Sequence, residues 1–135
     1  MRIKFQLPFL ALLFLACSTE NEKSDDSILG IWKNTKAYDG NTAGNNPVAL
    51  TGCENSLRLA FGVDYFYNES SVSADVPCPL TTENTYVWSE TATNTFECRR
   101  AGDNTLYFTA SIENGVMTLF RPDLNRTYQL KHSTN

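Results

Sequence analysis

Four cysteines, one histidine and fifteen carboxylates are the side chains in this 135-residue chain with chemistry to offer. His132 stands alone near the C-terminus, which leaves no second imidazole for a His-based acid–base pair. A zinc site drawn from Cys53, Cys78, Cys98 and His132 lacks any Cys-x-x-Cys element, so its ligand spacing is wrong for a closed tetrahedral centre. The Ser70-Ser71 pair has no base beside it, and the Asp25-Asp26 pair lies in a polar stretch outside any strand pattern. No catalytic constellation assembles from these parts, and neither a metal nor a cofactor is expected. The formal charge is −4, and the only adjacent cations are Arg99 and Arg100, a poor footprint for a phosphate backbone. Nucleic acid is excluded as a partner on that ground.

The first sixteen residues contain Arg2 and Lys4, then an apolar run from Phe5 to Ala16. That run is shorter than the about 20 residues of a membrane span and has the order of a secretory signal. Phe14-Leu15-Ala16-Cys17 resembles a bacterial lipobox, which implies cleavage before Cys17 and acylation of its thiol. Residues 1–16 are then a removed leader, 17–27 a lipidated acidic tether, and 28–135 the folded domain; without the leader the chain carries nine cations against fifteen carboxylates, or −6. Two or more acyl chains hold a protein stably to a membrane. By resemblance to Gram-negative lipoproteins, Ser18 after the cysteine implies passage to the outer membrane, on its periplasmic or surface face.

From Ile28 onward the chain shows no helical period. It reads as eight short β-rich runs: Leu29–Tyr38, Ser56–Phe61, Asp64–Asn68, Thr85–Thr91, Thr95–Arg100, Thr105–Ile112, Val116–Arg121 and Arg126–Lys131. Asn114-Gly115 suits a two-residue turn with positive φ at both positions, and the other short connections likewise force antiparallel neighbours. Alternation puts Leu57, Leu59 and Phe61, then Phe96 and Cys98, then Leu106, Phe108, Ala110 and Ile112, on a buried face. Eight such strands expose two edges unless they close, so the expected fold is all-β, an eight-stranded antiparallel up-and-down barrel, with a β-sandwich as the alternative.

Gly30-Ile31-Trp32 matches the Gly-x-Trp signature of lipocalins. The order of a Trp strand, a long loop, Cys53, a strand ending in Phe61, a Gly/Asp turn, Tyr65–Tyr67 and Cys78 resembles short lipocalin-like bacterial lipoproteins. The resemblance implies that Trp32 packs across the closed end of the barrel, with Arg126 of the last strand lying over it. The chain lacks a second signature loop and a C-terminal helix, and its strands are short.

Strand alternation gathers the long loops Asp39–Asn55 and Glu69–Asn84 at one end, the mouth, and brings the tether in at the other. Cys53 and Cys78 both fall at the mouth, while Cys98 lies mid-strand with the parity of a core residue. Of the three pairings available, Cys53–Cys78 is therefore favoured, and an exported location permits it. The rings of Tyr86, Trp88 and Phe108, with the small Ala110 between strands, are candidates to line a pocket. Arg100 and Arg121 end their strands at the mouth, where they either meet a ligand head group or are simply solvated. The expected function is to hold a small apolar or amphipathic ligand at the mouth, without catalysis. The alternative is a filled barrel that docks on or inhibits an envelope protein.

Overall fold

The computed structural model describes residues 26–76, 78 and 84–133. Cys17, the leader and most of the tether lie outside the described residues. The strands are β1 (Gly30–Asp39), β2 (Pro47–Val48), β3 (Leu57–Phe61), β4 (Phe66–Ser71), β5 (Tyr86–Ala92), β6 (Thr95–Arg100), β7 (Leu106–Glu113), β8 (Val116–Arg121) and β9 (Arg126–His132). A short helix, α1 (Gly52–Ser56), precedes β3.

All neighbours pair antiparallel in the order β1-β3-β4-β5-β6-β7-β8-β9, and β9 returns to pair with β1 over Trp32–Asp39. That pairing closes the barrel, excludes the sandwich and removes the free edges. The two-residue β2 adds a ninth strand outside the ring, along the mouth end of β1. Asn114 and Gly115 have φ of 52° and 72°, the double positive φ of a tight hairpin, between the paired Glu113 and Val116.

The expected alternation holds in β3 and β6, with Leu59, Phe61, Phe96 and Cys98 inward, and β8 and β9 follow the same rule with Met117, Leu119, Tyr128 and Leu130. It breaks in β7. Cys98 pairs with Phe108 but Arg99 pairs with Leu106, so Tyr107 is an extra residue in the ladder. Tyr107 therefore packs on the core beside Phe108, and Leu106, expected inside, does not belong to the core.

The closed end holds a further departure. Trp32 is fully buried and its indole N–H donates to the Ile28 carbonyl at 2.8 Å, but the ring lying on it is His132, at 3.8 Å between centroids. Arg126 does not cover Trp32. Trp32 pairs with His132 and Arg126 pairs with Asp39, at opposite ends of the β1–β9 ladder. Six residues of strand, about 20 Å, separate the two positions on β9.

Candidate functional site

Helix α1 forms where a polar loop meets β3, and Thr51 starts it. The Thr51 hydroxyl accepts from the Glu54 N–H at 3.1 Å, while Glu54 Oε2 accepts from the Thr51 N–H at 2.7 Å, a reciprocal cap. A disulfide from Cys53 to Cys78 ties the helix to the segment after β4. With both thiols joined, neither is available as a metal ligand beside Cys98 and His132. Cys98 is fully buried on the inner face of β6, a core residue whose thiol burial pushes up to about 12.

The helix sets Glu54 at one wall of a cavity in the mouth. Glu54 Oε1 accepts from the Tyr128 hydroxyl and from Arg126 Nη1, each at 2.6 Å, and Arg126 also pairs with Asp39 at 3.3 Å. Burial would raise the Glu54 carboxyl, but hydrogen bonds from the Thr51 backbone, Tyr128 and Arg126 outweigh it and hold the group below the ordinary carboxylate value. Burial first, and then the same carboxylate, pushes the Tyr128 hydroxyl well above its usual range.

A second Glu–Tyr–Arg cluster adjoins the first, with Arg121 of β8 paired opposite Arg126 of β9. Glu69 Oε1 accepts from the hydroxyls of Tyr67 at 2.6 Å and Tyr107 at 3.0 Å, and Arg121 lies 3.7 Å away. The Arg121 guanidinium forks onto Asp123 at 2.8 and 2.9 Å and sits 3.9 Å over the Tyr107 ring. Burial foremost, then Glu69, raises the Tyr67 and Tyr107 hydroxyls, so both stay protonated well beyond the usual phenol range. Among the described residues, β4 and β5 are paired only at Phe66–Val87 and Tyr67–Tyr86. Toward the mouth it is this side-chain cluster, with Tyr86 stacked on Tyr107 at 4.1 Å, that spans the interior.

Both clusters border a cavity of about 270 Å³, at the small end for ligand sites. Leu57, Leu59, Phe108 and Leu119 supply its apolar wall, Leu124 of the β8–β9 turn stands at its rim, and Asn34 lines it from β1. Asn34 is 8% exposed, and its Nδ2 donates to the Glu54 carbonyl at 2.7 Å. That bond fixes the amide orientation. It leaves Oδ1 buried with no hydrogen-bond partner among the described residues, a costly state for an amide acceptor unless something donates to it.

Of the six residues proposed from sequence to line a pocket, Phe108 and Arg121 border this cavity. Tyr86 and Arg100 line an adjoining cleft of about 210 Å³ that also reaches Arg121. Trp88 and Ala110 are deeper. Trp88 donates to the Gly62 carbonyl at 3.3 Å beside Tyr65 at the closed end, and Ala110 is buried between Phe96 and Leu119. Arg121 is held by Asp123, whereas Arg100 pairs with Asp103 at 3.1 Å through Nη1 and keeps its Nε buried with no hydrogen-bond partner among the described residues.

Sequence reading did not single out Asn34, Glu54, Glu69, Tyr107 or Leu124. Three of them carried a signal: Asn34 shares parity with Trp32, Glu69 shares parity with Tyr67, and Thr51-x-x-Glu54 is a capping box. Set against protein-family models, curated proteins and solved structures, the chain matches none. The lipocalin likeness therefore stands on the closed barrel, Gly30 and Trp32.

Proposed function

We propose that the protein is a non-catalytic, lipocalin-like binding module, held at the outer membrane by acyl chains on Cys17, that takes a small amphipathic molecule into the mouth cavity. The observation that carries this reading is the buried Asn34 Oδ1 without a partner, set above an apolar wall. A ligand hydroxyl or N–H would satisfy that oxygen while its apolar body lies against Leu57, Leu59, Phe108 and Leu119. Each cavity carboxylate is already matched by an arginine, Glu54 by Arg126 and Glu69 by Arg121, and Asp39 and Asp123 stand outside them. The rim therefore favours a neutral head group over an anion.

The test is displacement of a neutral fluorescent probe, N-phenylnaphthylamine, from the protein. Octanol is expected to compete better than heptyl methyl ether, which has the same length and no donor, by roughly twofold to tenfold, the worth of one hydrogen bond. In Asn34→Leu that preference is expected to vanish. Absence of saturable probe binding would leave a docking lipoprotein as the better account.

A further inference from the structure

The outer face of the closed half carries a pattern in which the cavity has no part. Strand pairing puts Lys131 of β9, Lys33 of β1 and Arg58 of β3 directly opposite one another in a single row. Opposite residues of an antiparallel pair share a face, with Cβ atoms about 4.5–5.5 Å apart, and like charges so placed destabilise the sheet. Lys33 and Lys131 are exposed and Arg58 half-buried. None of the three has a carboxylate within salt-bridge distance among the described residues, and Arg58 donates only to the carbonyls of Asn55 and Leu57. Val116 separates Lys131 from Glu113, the acid at the end of the same row.

Just below this row, toward the closed end, the surface turns apolar. Leu29 and Ile31 are exposed on the approach to and start of β1, Phe66 and Val87 face each other across β4 and β5, and Val63 and Tyr65 stand out from the β3–β4 turn, 80% and 56% exposed. Tyr65 has a φ of 64°, the left-handed region that a bulky side chain enters only under strain. The turn holds this ring against Trp88, at 4.9 Å between centroids, with more than half of the residue still exposed. The chain also enters the barrel here, since the Ile28 carbonyl is bound by Trp32 and Asp26 Oδ1 accepts from the Gly115 N–H at 3.4 Å.

We propose that this rim rests on an anionic lipid surface, with Val63, Tyr65, Phe66 and Ile31 entering the interface and the Lys131–Lys33–Arg58 row meeting the head groups. The layering is that of an interfacial protein, apolar and aromatic groups at the boundary with basic residues one layer above. A bilayer is favoured over a protein partner because residues 17–27, even fully extended, reach at most about 40 Å from a membrane-held Cys17 to this rim. An anionic surface also relieves the repulsion within the row. The inference rests on the acyl anchor of the proposed function and not on the cavity binding any ligand.

The experiment floats the full chain carrying Cys17→Ala, which cannot be acylated, with phosphatidylcholine vesicles and with equimolar phosphatidylcholine and phosphatidylglycerol vesicles. Preferential, salt-sensitive binding to the anionic vesicles is expected. Lys33→Gln, Arg58→Gln and Lys131→Gln together are expected to lower that partitioning by about a hundredfold, and Lys33→Gln alone by about fivefold. Phe66→Ser, on the outer face, should weaken it further without altering the circular dichroism spectrum. Equal partitioning of parent and variants, which would mean that the leader or nothing in the barrel binds lipid, overturns the proposal. So does equal binding to the two vesicle types.

Discussion

Phe61, Trp88, Phe96, Ile112, Met117 and Leu130 fill the closed half of the barrel, all at 7% exposure or less, and their only polar side-chain atom, the Trp88 N–H, is spent on a backbone carbonyl. The mouth half has the same strands and the same alternation, yet its inward positions hold Tyr67, Glu69, Tyr107, Arg121, Arg126 and Tyr128. Apolar side chains gain by collapsing on one another, so the closed half is solid. The mouth groups gain by meeting at defined hydrogen-bond distances, and two such clusters, side by side where Arg121 pairs with Arg126 across β8 and β9, border the cavity. One architecture thus supports a filled floor and a lined vessel, and the difference lies in which inward residues carry oxygen and nitrogen.

The sharpest way to break that comparison is to cut one ring from the floor. Phe61 touches Tyr67, Trp88 and Phe108, with ring centroids 5.0, 6.3 and 6.0 Å away. Phe61→Ala is expected to cost about 3–5 kcal/mol in urea denaturation. Leu57→Ala, on the same strand but bordering the cavity, should cost no more than about 2 kcal/mol, because it deletes fewer packed contacts. Equal losses would mean that the two halves are packed alike.

Removing the bridge with Cys53→Ser and Cys78→Ser opens a link of sequence separation 25, which is expected to cost about 3 kcal/mol in the chain-entropy description. The loss should be local to the mouth. Hydrogen exchange should rise in α1 while the amides paired around Trp32 and Leu130 keep their protection until global unfolding.

The smallest effect is expected from acid. The Glu54 carboxyl lies below the ordinary value of 4.5, so the folded chain takes up that proton less readily than the unfolded chain. Its contribution to stability is fully present above about pH 4.5 and is lost as pH falls through the lowered value. Glu54→Gln should flatten the pH dependence of stability in that window, and a wild-type slope retained in the variant would place the acid sensitivity elsewhere.

Local chemistry was enough for a large part of the molecule. Alternation along β3, β6 and most of β7 and the Asn114-Gly115 turn are short-range properties, so strand identity, antiparallel order and the inward residues of those three strands could be read residue by residue. The Cys53–Cys78 pairing followed once the loops were assigned to one end, and Trp32 was recognisable by its neighbour Gly30. Other features depend on which strands become neighbours and in what register. The extra residue in β7 turns Tyr107 inward, the β1–β9 register puts His132 rather than Arg126 on Trp32, and Asn34 is left with an orphan oxygen only because α1 folds over it. The row Lys131–Lys33–Arg58 joins residues up to 98 positions apart, and only barrel closure sets them side by side. A side chain's face is decided by its own strand, but its partner is decided by closure and bulges, which are long-range packing outcomes that no short stretch of sequence encodes.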